Sequence, residues 1–429
     1  MDCRQKKLLD GLLLFYKGRF ILNLDNHFKN LAGLATKEAV AVLLDYISNI
    51  DGVNITVNRG YKIGYPNYEK QFPMEFEIIF NDFDDEKWLI APTSTIRTDR
   101  VHKVEFYANH IRLLDYSVTN IYVVTPDTLS RTEIKAISNY SKKIHSGKYL
   151  SFLTDIISIF DLGNKILYKA TSKIKTAQRS NILGKFAEEY VVYLLNDHDN
   201  LLLWNDYDSF SKTTKSFTFD KYKLILESFG LIQGKDKIFS IYASTNIPKL
   251  TNNGLPKTDI ATYITLSNTA FIVKKISVKN TDKNEVSVHQ GDVKDIIQAI
   301  ETSLGVTIST SLKNALDDQQ KYGGIKDVEK YAKVSYDTLI AELPKYNNEL
   351  VAFAIFGDNS PRIVDSKQIA DIILYYRNFQ SFDKHTYIDK YIKEFADKGQ
   401  YGTPFKWTFQ KSSDKGKSIQ LKGFTNNKK

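Results

Sequence analysis

Cysteine is nearly absent. Cys3 is the single one in 429 residues, which excludes a disulfide framework and any multi-cysteine zinc site. No run of eighteen apolar residues occurs, so no segment is long enough to span a bilayer as a helix. The first residues, Met1-Asp2-Cys3-Arg4-Gln5-Lys6-Lys7, are charged, and no cleavable apolar segment comes after them. A protein of the reducing cytoplasm is expected. Low-complexity character is missing too: 42% hydrophobic and 25% charged residues exclude a disordered or collagen-like chain.

What is present is an aromatic-rich (13%), lysine-rich chain too long for one ordinary core. Two or three domains are expected. Lys and Arg number 59 against 50 Asp and Glu, a formal charge of +9. A basic surface attracts polyanions and speeds encounter with them. Charge alone does not single out nucleic acid, since chains from AT-rich genomes accumulate lysine whatever they do.

The pattern along the chain predicts α/β (α+β) architecture. Leu8–Leu14 and Lys37–Ile47 read as amphipathic helices. Met74–Phe80 and Trp88–Ile90 read as strands flanking an acidic turn, Asp82–Glu86. A helix at Glu105–Leu114 and a strand at Ile121–Val124 come next. The basic polar stretch Lys169–Thr176 predicts a boundary, with domains of residues 1–172 and 173–429. Beyond it, Ser180 or Asn181 can cap a helix whose apolar face is Leu183, Phe186, Ala187, Tyr190, Val191 and Leu194.

Chemistry concentrates in Pro256–Gln290. Two strand-like runs, Pro256–Leu266 and Ala270–Lys279, flank the turn Ser267-Asn268-Thr269. Asp259 and Ser277 are each nine residues from Asn268, so a hairpin folded there sets them opposite each other. Lys279 shares a strand face with Ser277. Asp259, Ser277 and Lys279 therefore can converge. Glu188 and Glu189 lie on the helix that opens the second domain. They suit either a solvated face or a metal-facing one. His289 has no second ligand at zinc spacing and reads as a DNA contact or a packed histidine. Asp292 reads as the cap of a helix buried through Val293, Ile296, Ile297 and Ile300.

An acid on one strand and acid-x-Lys on the next resembles the core of PD-(D/E)xK nucleases. The runs Lys257-Thr258-Asp259, Ile276-Ser277-Val278-Lys279-Asn280-Thr281 and Val286-Ser287-Val288-His289-Gln290 are similar to the MspI-type type II restriction endonucleases. So are Gly402–Phe409 and Gly416–Gly423 near the end of the chain. The likeness runs from about Ile174 to Gly423, looser between Lys313 and Gln400. That family already carries a neutral polar residue where Ser277 stands. The resemblance implies a mixed sheet flanked by helices, beside an additional N-terminal α/β domain. It implies a Mg²⁺-dependent, site-specific endonuclease acting on double-stranded DNA and leaving 5′-phosphates, with Mn²⁺ able to substitute.

In that family the acids hold the divalent metal and the lysine positions and polarises the attacking water. Asp259 would hold the metal, with Glu188 or Glu189 as further ligands. Ser277 and Lys279 would complete the catalytic set. Ser287, His289, Gln290, Thr408, Gln420 and Lys422 would meet DNA, Gln420 and Lys422 from one strand face. In the N-terminal part, Ala91-Pro92-Thr93 stands where acid-x-Lys would be needed. A degenerate nuclease-like unit touching DNA through Arg97, Arg100, His102 and Lys103 is one reading; an accessory domain with a solvated basic turn is the other. A cognate DNA methyltransferase would be a genetic rather than a physical partner. Two alternatives stay open: a DNA-binding protein that has lost catalysis, and a structure-selective repair nuclease.

Overall fold

A computed structural model describes residues 25–67, 69–127, 129–146, 151–210, 218–281, 283–409 and 415–425, without the side chains of 25–32. Cys3 and the helix expected at Leu8–Leu14 lie outside the described residues. The chain forms two compact units, Met1–Leu183 with Asp206–Asp220, and Gly184–Asn205 with Lys221–Lys429. The division passes through the helix Thr176–Asn196, close beyond the boundary expected at residue 172.

The first unit opens on the helix Asp25–Ser48, then β1 (Ile55–Gly64), β2 (Gln71–Phe80) and β3 (Glu86–Pro92). The helix Thr98–Leu114 leads to β4 (Val118–Thr125), and the helix Arg131–His145 to β5 (Asp155–Ser158). The sheet runs in order β1-β2-β3-β4-β5. β1, β2 and β3 pair antiparallel, whereas β4 and β5 continue parallel to β3. Burial alternates along the start of β2, with Phe72, Met74 and Phe76 inside, as one packed face requires. β4 instead buries Ile121 to Thr125 without interruption, as a strand covered on both faces does. The acidic turn between β2 and β3 places Asp84 and Asp85 at φ 54°, a left-handed conformation that Asp tolerates better than most residues.

The second unit contains β6 (Ile238–Ser244), β7 (Ile260–Leu266), β8 (Phe271–Lys279), β9 (Glu285–Gly291), β10 (Ile372–Tyr375), β11 (Gln380–Asp383), β12 (Phe405–Thr408) and β13 (Ile419–Phe424). One sheet has the order β11-β10-β8-β7-β6, and a second the order β12-β13-β9. β8 and β10 pair parallel, the remaining neighbours antiparallel. Helices between β9 and β10 supply a core around Ile296, Leu316, Phe356, Trp407 and Leu421. The architecture is the α/β one expected, with a mixed sheet flanked by helices.

Two local expectations need correction. The helix predicted to start at Ser180 or Asn181 starts at Thr176. Gln178 and Arg179 favour the helix, and neither Ser180 nor Asn181 outweighs them as a cap. Its expected apolar face is buried except for Tyr190, which is half-buried. Asp292 does cap the helix Val293–Leu304, its carboxylate accepting from Lys294 N at 2.9 Å. There Ala299 takes the buried place expected of Ile297.

Candidate active site and outward-facing sheet

The β7–β8 turn closes by Leu266 N donating to the Ala270 carbonyl at 2.8 Å and Ala270 N donating to Asn268 Oδ1 at 3.1 Å. From this turn the ladder runs to Ile260 opposite Ile276. Asp259 and Ser277 lie just beyond this last pair. Asp259 N donates to the Ile276 carbonyl at 2.9 Å. Asp259 Oδ2 accepts from Val278 N at 2.7 Å and from Ser277 Oγ at 3.4 Å. Lys279 Nζ donates to Ser277 Oγ at 2.7 Å and stands 3.9 Å from Asp259 Oδ2. The three residues expected to converge are thus linked, with the hydrogen bonds all on Oδ2 and Asp259 Oδ1 without a partner among the described residues.

Burial pushes the Asp259 carboxyl up, against the opposing pull of Lys279 and the hydrogen bonds from Val278 and Ser277. Glu188, on the helix Thr176–Asn196, is pushed up to about 7 by burial and then by the Asp259 charge. Glu189 is raised by burial, with Lys185 opposing. Adjacent helical residues point about 100° apart, and it is Glu188 that shares the field of Asp259.

A cleft of about 270 Å³ opens beside Asp259 and Lys279, lined also by Lys257, Ser287, Tyr375 and Tyr387. Nothing in the sequence marks Lys257 for this place. Its ammonium donates to the Val288 carbonyl, and burial together with the Lys279 charge lowers it to about 7. Val288 is the extra residue of a β-bulge: Leu421 pairs with His289 and Lys422 with Ser287, skipping it. Lys257 therefore joins the strand entering the acid to the bulge of β9.

The sheet β12-β13-β9 sorts the remaining candidates by face. Thr408, Gln420 and Gln290 form one cross-strand row, and Lys406, Lys422 and Ser287 the next. Trp407, Leu421 and Ile419 point the other way, into the core. Gln420 is buried and donates to Ser287 Oγ at 3.1 Å. Lys422 has no acidic partner among the described residues, whereas Lys406 pairs with Glu285. His289 departs from the DNA-facing place expected of it. It faces inward, its ring 4.6 Å from that of Phe353, and burial holds it far down, at about 3. The bulge at Val288 explains the turn, since one extra residue exchanges the faces of the residues beyond it.

In the first unit, Arg97 is exposed and pairs with Asp99 at 3.1 Å. Arg100 reaches Thr93 Oγ1 at 3.4 Å and Thr95 Oγ1 at 3.5 Å. His102 and Lys103 are exposed one turn along the same helix.

No three His, Cys, Asp or Glu side chains gather as a metal cage among the described residues. Asp259 lines the cleft, and Glu188 lies near enough for the Asp259 charge to raise it, so two carboxylates are available close to one another. A hard cation that keeps several waters and takes one or two carboxylates plus substrate phosphate fits this donor set, and Mg²⁺ is such a cation. No described helix is long and apolar enough to cross a membrane.

The chain is 43% identical over 406 residues to the type II restriction enzyme BsuFI of Bacillus subtilis, covering 95% of this chain and 100% of that one. It is 24% identical to the type II restriction enzyme MspI of Moraxella sp., over 57% of this chain and 90% of that enzyme. A crystal structure of MspI in complex with its cognate DNA aligns at 22% identity, covering 61% of this chain and 99% of that one, with a TM-score of 0.45. The family described as restriction endonuclease MspI matches residues 162–423. With that match over more than half its length and a full-length relative at 43% identity, the chain belongs to the MspI family of type II restriction endonucleases.

Proposed function

We propose that the chain is a Mg²⁺-dependent, sequence-specific endonuclease that hydrolyses phosphodiester bonds in double-stranded DNA and leaves 5′-phosphate and 3′-hydroxyl ends. The observation that carries this reading is the linked set of Asp259, just before β7, with Ser277 and Lys279 on β8, and Glu188 near enough to feel the Asp259 charge. Family membership supplies the substrate class, and the +9 charge suits a polyanion.

Asp259 Oδ1 and the Glu188 carboxylate would hold the cation. When bound, a divalent metal lowers the pKa of water and offsets charge building on the phosphate. Lys279 holds its ammonium within bonding distance of Ser277 Oγ and close to Asp259. From there it can orient the water and stabilise the extra negative charge of the five-coordinate phosphorus. Ser277 fixes both neighbours, accepting from Lys279 and donating to Asp259. The water oxygen bonds to phosphorus, the P–O3′ bond breaks, and the proton lost by water ends on the leaving 3′ oxygen or solvent. Lys257 keeps the strand before Asp259 tied to β9.

The rows Thr408–Gln420–Gln290 and Lys422–Ser287 would face DNA. Amide and ammonium groups carry the donors and acceptors that distinguish base edges in the major groove. Arg97 and Arg100 would meet phosphate. The division at residue 172 would separate an accessory domain from the nuclease, in a cytoplasmic protein accompanied genetically by its methyltransferase. Digestion of a mapped genome with Mg²⁺, and then sequencing of the ends, tests the whole reading. Discrete fragments with 5′-phosphates are expected; smearing would favour a structure-selective nuclease. Binding without any cut would favour the DNA-binding protein that the neutral Ser277 suggests.

A further inference from the structure

The two units share one plan. In each, a long helix precedes three antiparallel strands, and helix follows before a strand returns parallel to the third, with further helices before β6 and β9 of the other sheet inserted in the second unit. β1, β2, β3 and β4 thereby correspond to β6, β7, β8 and β10, in the same sheet order. The register agrees to the residue. The ladder of β2 and β3 ends at Phe76 opposite Ile90, as that of β7 and β8 ends at Ile260 opposite Ile276. Counted one residue beyond each last pair, Glu75 and Ala91 correspond to Asp259 and Ser277. Thr93 then stands at the position of Lys279. Thr93 N bonds across to Val124 of β4, and the Lys279 carbonyl accepts from Tyr376 beyond β10, so both lie in phase with the parallel neighbour.

The side chains differ where the chemistry would be. The opening helix presents Lys37, not a glutamate, and its ammonium bonds Glu75 at 2.7 Å. The other carboxylates of this corner are also engaged. Asp99 pairs with Arg97, and Glu133 accepts from Ser130 and from Ile96 N. Arg100 reaches into the position of the lost lysine, where it meets the neutral hydroxyls of Thr93 and Thr95. The corner thus has fixed cations and no bare carboxylate among the described residues.

We propose that the first unit is a second copy of the nuclease core whose metal site has become a metal-free binding site for the phosphodiester backbone of duplex DNA. Arg100 carries the contact, and Lys37 contributes the charge that Glu75 partly neutralises. In the second unit a cation must be recruited to approach phosphate; here guanidinium and ammonium occupy that place permanently. The choice of DNA as ligand rests on the nuclease reading, while the correspondence between the copies does not.

Full-length protein in EDTA, titrated into fluorescent cognate and random duplexes at two salt concentrations, tests it. Arg100→Ala should weaken binding to both duplexes alike, by roughly three- to tenfold, and flatten the salt dependence by about one unit of slope. Glu75→Gln, which releases Lys37, should tighten both. Parent-like affinity and slope in both variants overturn the proposal, and a loss confined to cognate DNA overturns the backbone assignment. A parent chain that binds no duplex at all sinks the nuclease reading together with this one. The correspondence has its own arm: in an Asp259→Ala background, Lys37→Glu with Ala91→Asp should create a Mn²⁺ site detectable by calorimetry. Absence of Mn²⁺ uptake by that folded variant would refute the equivalence of the two corners.

Discussion

Ser277 puts a hydroxyl where a carboxylate would hold a cation more tightly, yet it is bonded on both sides, to Lys279 and to Asp259. Its Oγ therefore fixes the ammonium relative to the acid. Ser277→Ala should slow cleavage by misplacing Lys279, whereas Ser277→Asp should keep some cleavage and shift preference toward Mn²⁺; single-turnover rates in the two metals check both. Lys279→Ala should retain duplex binding and lose about a hundredfold or more in rate, the scale of a lost charge stabiliser at a reacting phosphate. Normal cleavage by that variant would remove the hairpin assignment. His289 offers a test of stability. Its imidazole sits at about 3 when folded against an ordinary value near 6.5. Below about 6.5 the unfolded chain takes up a proton that the folded chain refuses, so stability falls with pH until about 3. From pH 7 to pH 5 this single group costs about 2 kcal/mol. His289→Phe should lose correspondingly less over that interval in urea unfolding, and equal losses would mean that the ring is protonated in the fold.

Among the elements, the β7–β8 hairpin and the β12-β13-β9 sheet differ in how far the sequence reveals them. The hairpin is legible because two apolar runs of similar length flank one turn, and counting outward from Asn268 pairs Asp259 with Ser277. β9 and β13 join segments far apart, Ser287 and Gln420 being 133 residues distant in the chain. No local pattern announces that pairing; the similarity of the C-terminal run to a known family points to Gln420 and Ser287 without showing that they are partners. The bulge at Val288 is equally silent in sequence, and it turns His289 inward. Lys257 is hidden for a different reason: in a lysine-rich chain nothing marks the one lysine whose ammonium seals a bulge carbonyl beneath the cleft. Gln420→Ala should reduce cognate binding far more than random binding, by roughly 1–3 kcal/mol at one base pair. A double-mutant cycle with Ser287→Ala would then show coupling, since the two side chains are bonded. Equal losses on cognate and random duplex would mean that β13 does not read sequence. Lys257→Met should lower cleavage with little change in random-duplex affinity, because it loosens the acid's strand from β9 without removing an outward cation. A loss of affinity with unchanged single-turnover rate would assign Lys257 to binding instead.

At the scale of the whole molecule, the proposed correspondence of the two sheets leaves one corner, among the described residues, equipped for the proposed chemistry. Glu75 is bonded to Lys37, Ala91 offers no donor, and Thr93 replaces the lysine. Without a carboxylate pair free for a cation, and without an ammonium beside the acid, this corner lacks both the metal's hold and the charge stabiliser that phosphoryl transfer needs. On the proposed reading, cutting both strands of a duplex falls to the Asp259 corner, acting twice or in two copies of the chain. Asp259→Ala should therefore leave supercoiled plasmid fully intact in Mg²⁺ and in Mn²⁺, with neither open-circular nor linear product, while metal-free duplex binding persists. Were the N-terminal corner catalytic, the same variant would still cut one strand, and open-circular plasmid would accumulate in proportion to enzyme. Agarose resolution of the three plasmid forms over time distinguishes the two outcomes. Residual nicking that disappears on adding Arg100→Ala would place a second reaction centre in the first unit.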